Sequence, residues 1–388
     1  MKTLYINGKF SAQSVTGVQR AAMELILALD RAFAHQGGGF RCVLLCPPGA
    51  QPPALERIEV RTIGRRAGNL QWWEQVLLPR ATRDGVLLNL SGSAPWLAAG
   101  KSICLLHDAA VFDHPDTYTR LFQLWYRALF RHLGRRALAL LTISNFARDR
   151  LCEALDVPAE RFQVVQHGAD HFARISSDNS VLAAYGLKAE RFLLVVGTAK
   201  RTKNVAAVLS AWKKRRPDED CILVWVGGTN RAVFSEAEST PQEIAADEAQ
   251  GIFRIGFVSD GKLKALYEHA AGLVLPSIYE GFGLPAVEAM SCGCPVAAAS
   301  AASLPEVCAN AAYFFDPLKL DSIANAMDTL LADSGVRARL RQCGHERAAA
   351  LTWDGAARGL RAHLQSCGVS QQPHPYPAEF VQAPSVNS

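Results

Sequence analysis

Short apolar runs alternate with longer amphipathic segments from one end of this chain to the other. Runs such as Val43–Cys46 and Phe192–Val196 have the length and composition of buried strands. Between such runs lie segments of helical period, for example Val18–Phe33, in which apolar residues recur every three or four positions. Strands that alternate with helices are typical of parallel sheets covered by helices. The sequence therefore predicts an α/β fold with mainly parallel sheets.

The length of 388 residues favours two domains over one. A polar stretch with weak periodicity, Asp170–Asn179, is the predicted linker, and a series of strands and helices lies on each side of it. We assign residues 1–172 to a first Rossmann-like domain and residues 180–350 to a second. A cleft between two such domains is a natural place for a ligand.

The two ends of the chain and its composition indicate the expected cellular location of the protein. A last helix is predicted within 353–367, and residues 369–388, which hold four prolines, are expected to be disordered. The first ten residues lack the apolar segment of a signal peptide, and no run approaches the ~18 uncharged apolar residues of a membrane-spanning helix. We therefore expect a cytoplasmic protein. Its ten cysteines are scattered rather than grouped as zinc ligands, so we expect ordinary thiols.

The formal charge of +5 is concentrated in the first half of the chain. Residues 1–170 hold 20 Lys and Arg against 14 Asp and Glu, whereas the remainder holds 21 against 22. A basic first half could face anionic lipid at the inner face of the membrane, or an acidic acceptor. A solvated arginine-rich surface is the alternative. No nucleic-acid-binding motif accompanies the charge, so we expect no nucleic-acid partner.

The strongest motif is SIYEGFGLPAVEAM at 277–290, where a predicted strand leads through a glycine-containing loop into a helix. Gly281 and Gly283 let the backbone approach a ligand, and the free N–H groups of a helix start suit a diphosphate. Glu280 and Glu288 flank this loop, and a carboxylate can accept hydrogen bonds from two neighbouring sugar hydroxyls. The alternative is a helix that carries acidic residues near its N-terminus because the helix dipole favours them there.

This segment resembles the signature of the family 4 glycosyltransferases of the GT-B fold, EGFGLPxxEAM, at every position of the motif. The resemblance implies the GT-B arrangement of two Rossmann-like domains, with a last helix that crosses back onto the first domain. It implies that Glu280 is a catalytic residue in contact with the donor sugar and that Glu288 binds the ribose hydroxyls. The loop between them is implied to meet the sugar and diphosphate through backbone amides: Gly281, Phe282, Gly283 and Leu284.

A second segment, VGTAKRTKN at 196–204, follows a predicted strand and leads into a helix. Cations here would neutralise a diphosphate leaving group, although a solvated basic turn is the alternative. The segment resembles the family's GTxxxRKN-type loop, in which an arginine and a lysine grip the phosphates. Lys203 matches that lysine, and we assign it a catalytic and donor-binding role. Thr202 stands where many relatives carry arginine, so we expect Arg201 or Lys200 to replace that arginine.

Other segments resemble the family more locally. Gly17, at a predicted helix start, matches a glycine that lies beside the donor diphosphate or the acceptor. His107, after a predicted strand, matches the histidine that lies by the transferred sugar; a structural histidine is the alternative. Phe257 and Val258 stand in a turn that is implied to contact the base. We interpret Ser144 mainly as the N-cap of a helix.

The resemblance also predicts the reaction. It implies retention of anomeric configuration, a nucleotide-sugar donor and a glycan or lipid-linked saccharide acceptor, with surface polysaccharide or lipopolysaccharide assembly as the process. Mannose from GDP-mannose is the donor favoured by overall resemblance. No DxD motif stands at a strand end in the donor region, so we expect neither a divalent metal nor another cofactor.

Three points stay open at this stage. The pair Trp72–Trp73 either packs within the fold or touches lipid or acceptor. A GT-B sugar-nucleotide epimerase is the first functional alternative, although it would want further acid–base carboxylates. A non-catalytic nucleotide-sugar-binding protein is the second, and the intact pair of glutamates argues against it.

Overall fold

The computed structural model describes five stretches of the chain: residues 3–36, 41–65, 68–215, 221–227 and 241–369. Within them the chain forms two separate parallel β-sheets, each flanked by helices. The tail that we expected to be disordered, 369–388, lies outside the described residues beyond its first position.

The first sheet is built from the first half of the chain. Its strands are β1 Leu4–Asn7, β2 Cys42–Cys46, β3 Glu59–Thr62, β4 Val86–Asn89, β5 Ser102–Leu105, β6 Ala139–Thr142 and β7 Phe162–Val164. Their order is β3-β2-β1-β4-β5-β6-β7, and all neighbours are parallel. The apolar pattern does not predict β3, because all four of its residues are exposed at the edge of the sheet.

The second sheet is built from the second half of the chain. Its strands are β8 Phe192–Val196, β9 Ile222–Val226, β10 Ile252–Gly256, β11 Gly272–Leu275, β12 Val296–Ala299 and β13 Ala312–Phe315. Their order is β10-β9-β8-β11-β12-β13, again with parallel neighbours throughout. The strand order of each sheet reverses at its middle, beside β1 in the first and β8 in the second, where open α/β sheets bind ligands. The predicted pair of Rossmann-like domains is confirmed.

Ten helices of eight or more residues are found in the described parts of the chain. They are Gly17–Gln36, Arg120–Arg136, Asn145–Leu155, Val205–Lys214, Pro241–Glu248, Asp260–His269, Leu284–Ser291, Leu320–Ala332, Ser334–Ala350 and Trp353–Ser366. None of the described helices is long and apolar enough to cross a membrane.

The sequence analysis places no helix over 320–350, where the structure has two. Leu320–Ala332 buries Ile323, Met327 and Leu330, a stripe whose spacing does indicate a helix. Ser334–Ala350 consists largely of charged and small residues and buries few apolar side chains, so its pattern is weak.

The predicted linker, Asp170–Asn179, lies between the last strand of the first sheet and the first strand of the second, and it begins with a short turn. Asp170–Arg174 forms a 3₁₀ turn, and its residues His171 and Phe172 are buried. A five-residue turn is too short to show periodicity, and Phe172 packs in the core of the second domain. The last helix, Trp353–Ser366, packs against Gly17–Gln36 of the first domain. The chain therefore crosses between the domains twice.

Candidate active site

The loop after β11 carries the first glutamate of the motif and ends at a helix start. Gly283 has φ +89°, in the left-handed region, and the helix Leu284–Ser291 begins directly after it. A Cβ at Gly283 would also lie 2.4 Å from a methyl carbon of Leu304. The left-handed φ favours glycine here, and Pro285 then occupies the first helical turn, where a missing N–H costs nothing.

Glu280 is buried and is held by the basic loop of the same domain, residues 197–204 between β8 and the helix Val205–Lys214. Its Oε1 accepts a hydrogen bond from Lys203 Nζ at 2.6 Å and another from Ser277 Oγ at 2.8 Å. Ser303 Oγ donates to the backbone carbonyl of Glu280 at 2.9 Å. The structure thus brings together two residues that the sequence analysis chose from motifs 77 positions apart. The sequence analysis assigned no role to Ser277 or Ser303.

Glu288 lies in the helix that follows, and only a small part of its side chain is exposed. Its Oε2 is 3.4 Å from Tyr267 Oη, and its Oε1 is 3.4 Å from Nε2 of the buried His171. Burial raises the pKa of Tyr267, so this phenol keeps its proton and can donate to the carboxylate. Neither neighbour is predicted from the sequence. Tyr267 lies in a predicted helix, where its pattern indicates an apolar position, and His171 lies in the predicted linker.

On the first domain, His107 follows β5 and is buried. Burial lowers its pKa, so the ring is neutral near pH 7. Its Nε2 lies 2.9 Å from the carbonyl oxygen of Leu90. Because a carbonyl only accepts, Nε2 carries the proton and Nδ1 keeps its lone pair. A neutral histidine of this tautomer can accept a hydrogen bond from a hydroxyl group.

Gly281 is the point at which the two halves of the site touch. A Cβ at this position would lie 2.6 Å from the carbonyl oxygen of His107 and 3.1 Å from Cβ of Asp108. Ser144 Oγ donates to the carbonyl oxygen of Gly281 at 2.7 Å. The same oxygen of Ser144 accepts from Ala147 N, so the predicted N-cap is present and also joins the domains. The segment 277–288, which we call the donor loop, can pack against the loop of His107 because Gly281 has no side chain.

The three cations of the basic loop contact different domains. Lys203 pairs with Glu280, whereas Lys200 Nζ donates to Tyr118 Oη at 2.9 Å and Arg201 lies 2.5 Å from Asp116, both in the first domain. The side chain of Arg201 is 82% exposed.

Thr202, which stands at the arginine position of the GTxxxRKN-type loop, is buried. Its carbonyl oxygen accepts from the backbone N–H of Ile278 at 2.9 Å, which fastens the basic loop to the donor loop. The two candidate replacements, Lys200 and Arg201, thus contact the first domain and not Glu280.

The other predicted residues lie around this centre. Gly17 begins its helix, and apart from its chain neighbours and the adjacent helix backbone no atom of the described residues lies within 4 Å of where its Cβ would be. In the turn after β10, Phe257 is 80% exposed and Val258 is half-buried. Of the tryptophan pair, Trp73 is buried and donates its indole N–H to the carbonyl of Ile63, whereas Trp72 is 55% exposed. The packing alternative therefore fits Trp73.

Two family models match the chain, one on each domain. The model described as Glycosyltransferase Family 4 matches residues 15–171. The model described as Glycosyl transferases group 1 matches residues 183–347, which include both the basic loop and the donor loop.

Curated relatives are similar to this chain over much of its length. The O-antigen chain mannosyltransferase B of Escherichia coli is 29% identical over 263 residues, which cover 66% of this chain and 67% of that protein. The serotype-specific mannosyltransferase WbdA of Escherichia coli is 29% identical over 299 residues, 70% of this chain. The chain spans only 34% of that second relative.

Solved structures share the fold at lower identity. Sucrose-phosphate synthase from Thermosynechococcus elongatus superimposes with a TM-score of 0.73 at 19% identity, covering 95% of this chain and 100% of that one. WaaG, a glycosyltransferase involved in lipopolysaccharide biosynthesis, superimposes with a TM-score of 0.66 at 15% identity, covering 95% and 99%. At such identities the likeness concerns the fold.

The fold and the matched models together define the class of protein: this is a glycosyltransferase with the GT-B fold. Because the first domain matches the model described as Glycosyltransferase Family 4 and the second matches the model described as Glycosyl transferases group 1, the chain belongs to the family 4 glycosyltransferases. The epimerase and binding-protein alternatives have no support among these matches.

Proposed function

We propose that this enzyme transfers a hexose from a nucleotide-sugar to a glycan or lipid-linked saccharide in the synthesis of a surface polysaccharide. The observation that carries the proposal is the Lys203–Glu280 pair beside a helix start, packed against the loop of His107. The relatives that are O-antigen mannosyltransferases favour mannose, with GDP-mannose as the donor.

The donor would lie with its diphosphate at the start of the helix Leu284–Ser291. The first N–H groups of a helix have no partner within it, and the helix dipole favours an anion there. Both hydrogen bonds recorded for the Glu280 carboxylate use Oε1, so Oε2 would accept from a sugar hydroxyl. Glu288 would accept from the ribose hydroxyls, and His107 Nδ1 from a hydroxyl of the transferred sugar.

Lys203 would stabilise the departing diphosphate as the glycosidic bond breaks, taking the place of a metal cation. Among the described residues, no three His, Cys, Asp or Glu side chains lie together where they could hold a metal ion. We propose that the acceptor hydroxyl attacks from the face of the leaving group, which retains the configuration. Proton NMR of the product formed in EDTA tests both points: an inverted anomeric centre or a loss of turnover would contradict them.

The donor is tested by calorimetric titration with GDP-, UDP-, ADP- and dTDP-sugars in the presence of EDTA. We expect one tight donor, with GDP-mannose as the first choice. Glu288→Ala should abolish that binding, while Glu248→Ala, at an exposed glutamate, should leave it unchanged. If none of the four donors binds, the interpretation of 280–288 as a donor loop is wrong.

We further propose that the first domain contacts the anionic inner face of a membrane. The helix Arg120–Arg136 carries five arginines and no Asp or Glu, and its Leu121 and Leu124 are largely exposed. Such a face would add apolar contact to electrostatic attraction.

Flotation with vesicles of phosphatidylcholine, alone or mixed with phosphatidylglycerol, tests this membrane contact. Leu121→Glu with Leu124→Glu should abolish binding to the anionic vesicles, and Leu318→Glu, at an exposed leucine of the second domain, should not.

A further inference from the structure

The two crossings of the chain between the domains meet at one place. The backbone N–H of Trp353 donates to Asp170 Oδ1 at 2.7 Å, and Ala169 N donates to the carbonyl of Leu351 at 3.3 Å. A Cβ at Gly168 would lie 2.2 Å from Trp353 N, so the two segments pack backbone against backbone. Any change in the angle between the domains must pass through these paired segments.

His171 connects this crossing to the donor site. Its ring is 2% exposed, and its Nδ1 accepts the indole N–H of Trp353 at 3.1 Å. In the neutral ring the proton must then lie on Nε2. That nitrogen has no hydrogen-bond partner among the residues that the structure describes, and it lies 3.4 Å from Oε1 of Glu288. A buried donor that is aimed at a carboxylate without a completed hydrogen bond needs an explanation.

We propose that His171 is a positioning residue for Glu288, which orients this carboxylate for the nucleotide and ties it to the crossing between the domains. The inference rests on the proposed function, in which Glu288 accepts from the ribose hydroxyls. When the nucleotide binds, Nε2–H of His171 completes its hydrogen bond to Oε1, and Tyr267 holds Oε2. The remaining lone pairs of the carboxylate then point to the two hydroxyls.

The side chain at position 171 must accept a hydrogen bond from Trp353 at one end and donate a hydrogen bond to Glu288 at the other. Glutamine can do both, because its Oε1 can accept from Trp353 and its Nε2 can donate to Glu288. Leucine fills a similar volume and can do neither. The pair His171→Gln and His171→Leu therefore separates the hydrogen bonds from the packing.

The test is calorimetric titration with GDP, and with UDP as the second probe, of wild type, His171→Leu and His171→Gln. We expect His171→Leu to weaken binding by about tenfold, as for loss of one hydrogen bond to a charged group, and His171→Gln to stay within about threefold. His345→Leu, at an exposed histidine, should bind like wild type. Urea unfolding of each variant checks that it is folded.

A double-mutant cycle with Glu288→Gln distinguishes positioning from a structural role. If His171 acts through Glu288, His171→Leu adds little further loss in the Glu288→Gln background. The inference would be overturned if His171→Leu lowered the nucleotide affinity equally in both backgrounds, or if His171→Gln bound the nucleotide as weakly as His171→Leu. Failure of the wild-type protein to bind either nucleotide would instead contradict the proposed function.

Discussion

At the scale of single residues, the site depends on one missing side chain. Gly281 lies so close to the carbonyl of His107 that even a methyl group would overlap with it. The donor loop and the first domain therefore fit together only with glycine here, independently of the ligand. The family motif predicts the glycine, but only the structure shows that its neighbour belongs to the other domain.

Gly281→Ala should lower turnover at least tenfold, because the Cβ must push the donor loop away from His107 and misplace the reacting groups. Gly359→Ala is the matched control, since the structure has open space at its Cβ position within a helix. Transfer rates and unfolding midpoints are measured for both variants. Full activity of Gly281→Ala would show that the two loops need not touch.

Two buried histidines should make the protein sensitive to acid. Burial lowers the pKa of His107 and lowers that of His167 further, from an ordinary value near 6.5. Below pH 6.5 the unfolded chain binds these protons and the folded chain does not, so stability falls with falling pH. The slope is about 1.4 kcal/mol per pH unit for each histidine until its folded pKa is reached.

Urea unfolding at pH 7.5, 6.5 and 5.5 measures this slope. His167→Phe should reduce the slope by the contribution of one histidine, because phenylalanine cannot bind the proton. Phenylalanine is the chosen replacement because the ring of His167 lies between Phe282 and Trp353, which suit an aromatic side chain. An unchanged slope in this variant would mean that His167 is not the group that binds the proton.

At the scale of elements, the sequence predicts most strands and the loops that carry the motifs. Buried apolar runs such as Phe192–Val196 predict strands unambiguously. Glu280 and Lys203 are predicted from family motifs, and the two loops that carry them follow neighbouring strands of the second sheet. Edge strand β3 and the turn around His171 escape prediction for a physical reason. Each is short, and each owes its conformation to contacts with distant segments and not to a local pattern.

The last helix should stabilise the first domain strongly. Leu360 is completely buried in the core that this helix shares with Gly17–Gln36. Leu360→Ala should lower the free energy of unfolding by about 2–5 kcal/mol, as in other buried sites. Leu121→Ala, at a leucine that is 79% exposed, should change it by less than about 0.5 kcal/mol. Similar small effects for both would contradict the packing of this helix.

Across the whole molecule, ion pairs and hydrogen bonds join the two domains at several places. Arg20 pairs with Asp260, and Arg201 with Asp116. Tyr279 Oη donates to Asp113 Oδ2 at 2.9 Å from the other domain. Most of these groups are partly exposed, so each contact stabilises this arrangement of the domains only slightly.

The two cations of the basic loop should therefore differ in their effects. Lys203→Met should lower turnover at least a hundredfold, because it removes the cation paired with Glu280. Arg201→Met should lower it less than about fivefold, because its guanidinium lies on Asp116 in the other domain. Steady-state transfer rates decide between them. A larger loss in the arginine variant would mean that Arg201 moves onto the diphosphate when the donor binds.

Hydrogen exchange with and without GDP-mannose tests whether the nucleotide-sugar lies on the loop between Glu280 and Glu288. We expect slower exchange in peptides covering 277–291 and 197–205, since those backbone amides would hold the diphosphate and sugar. Glu288→Ala should remove this protection. If the donor binds and protects other segments but neither of these two, the nucleotide-sugar does not lie on this loop.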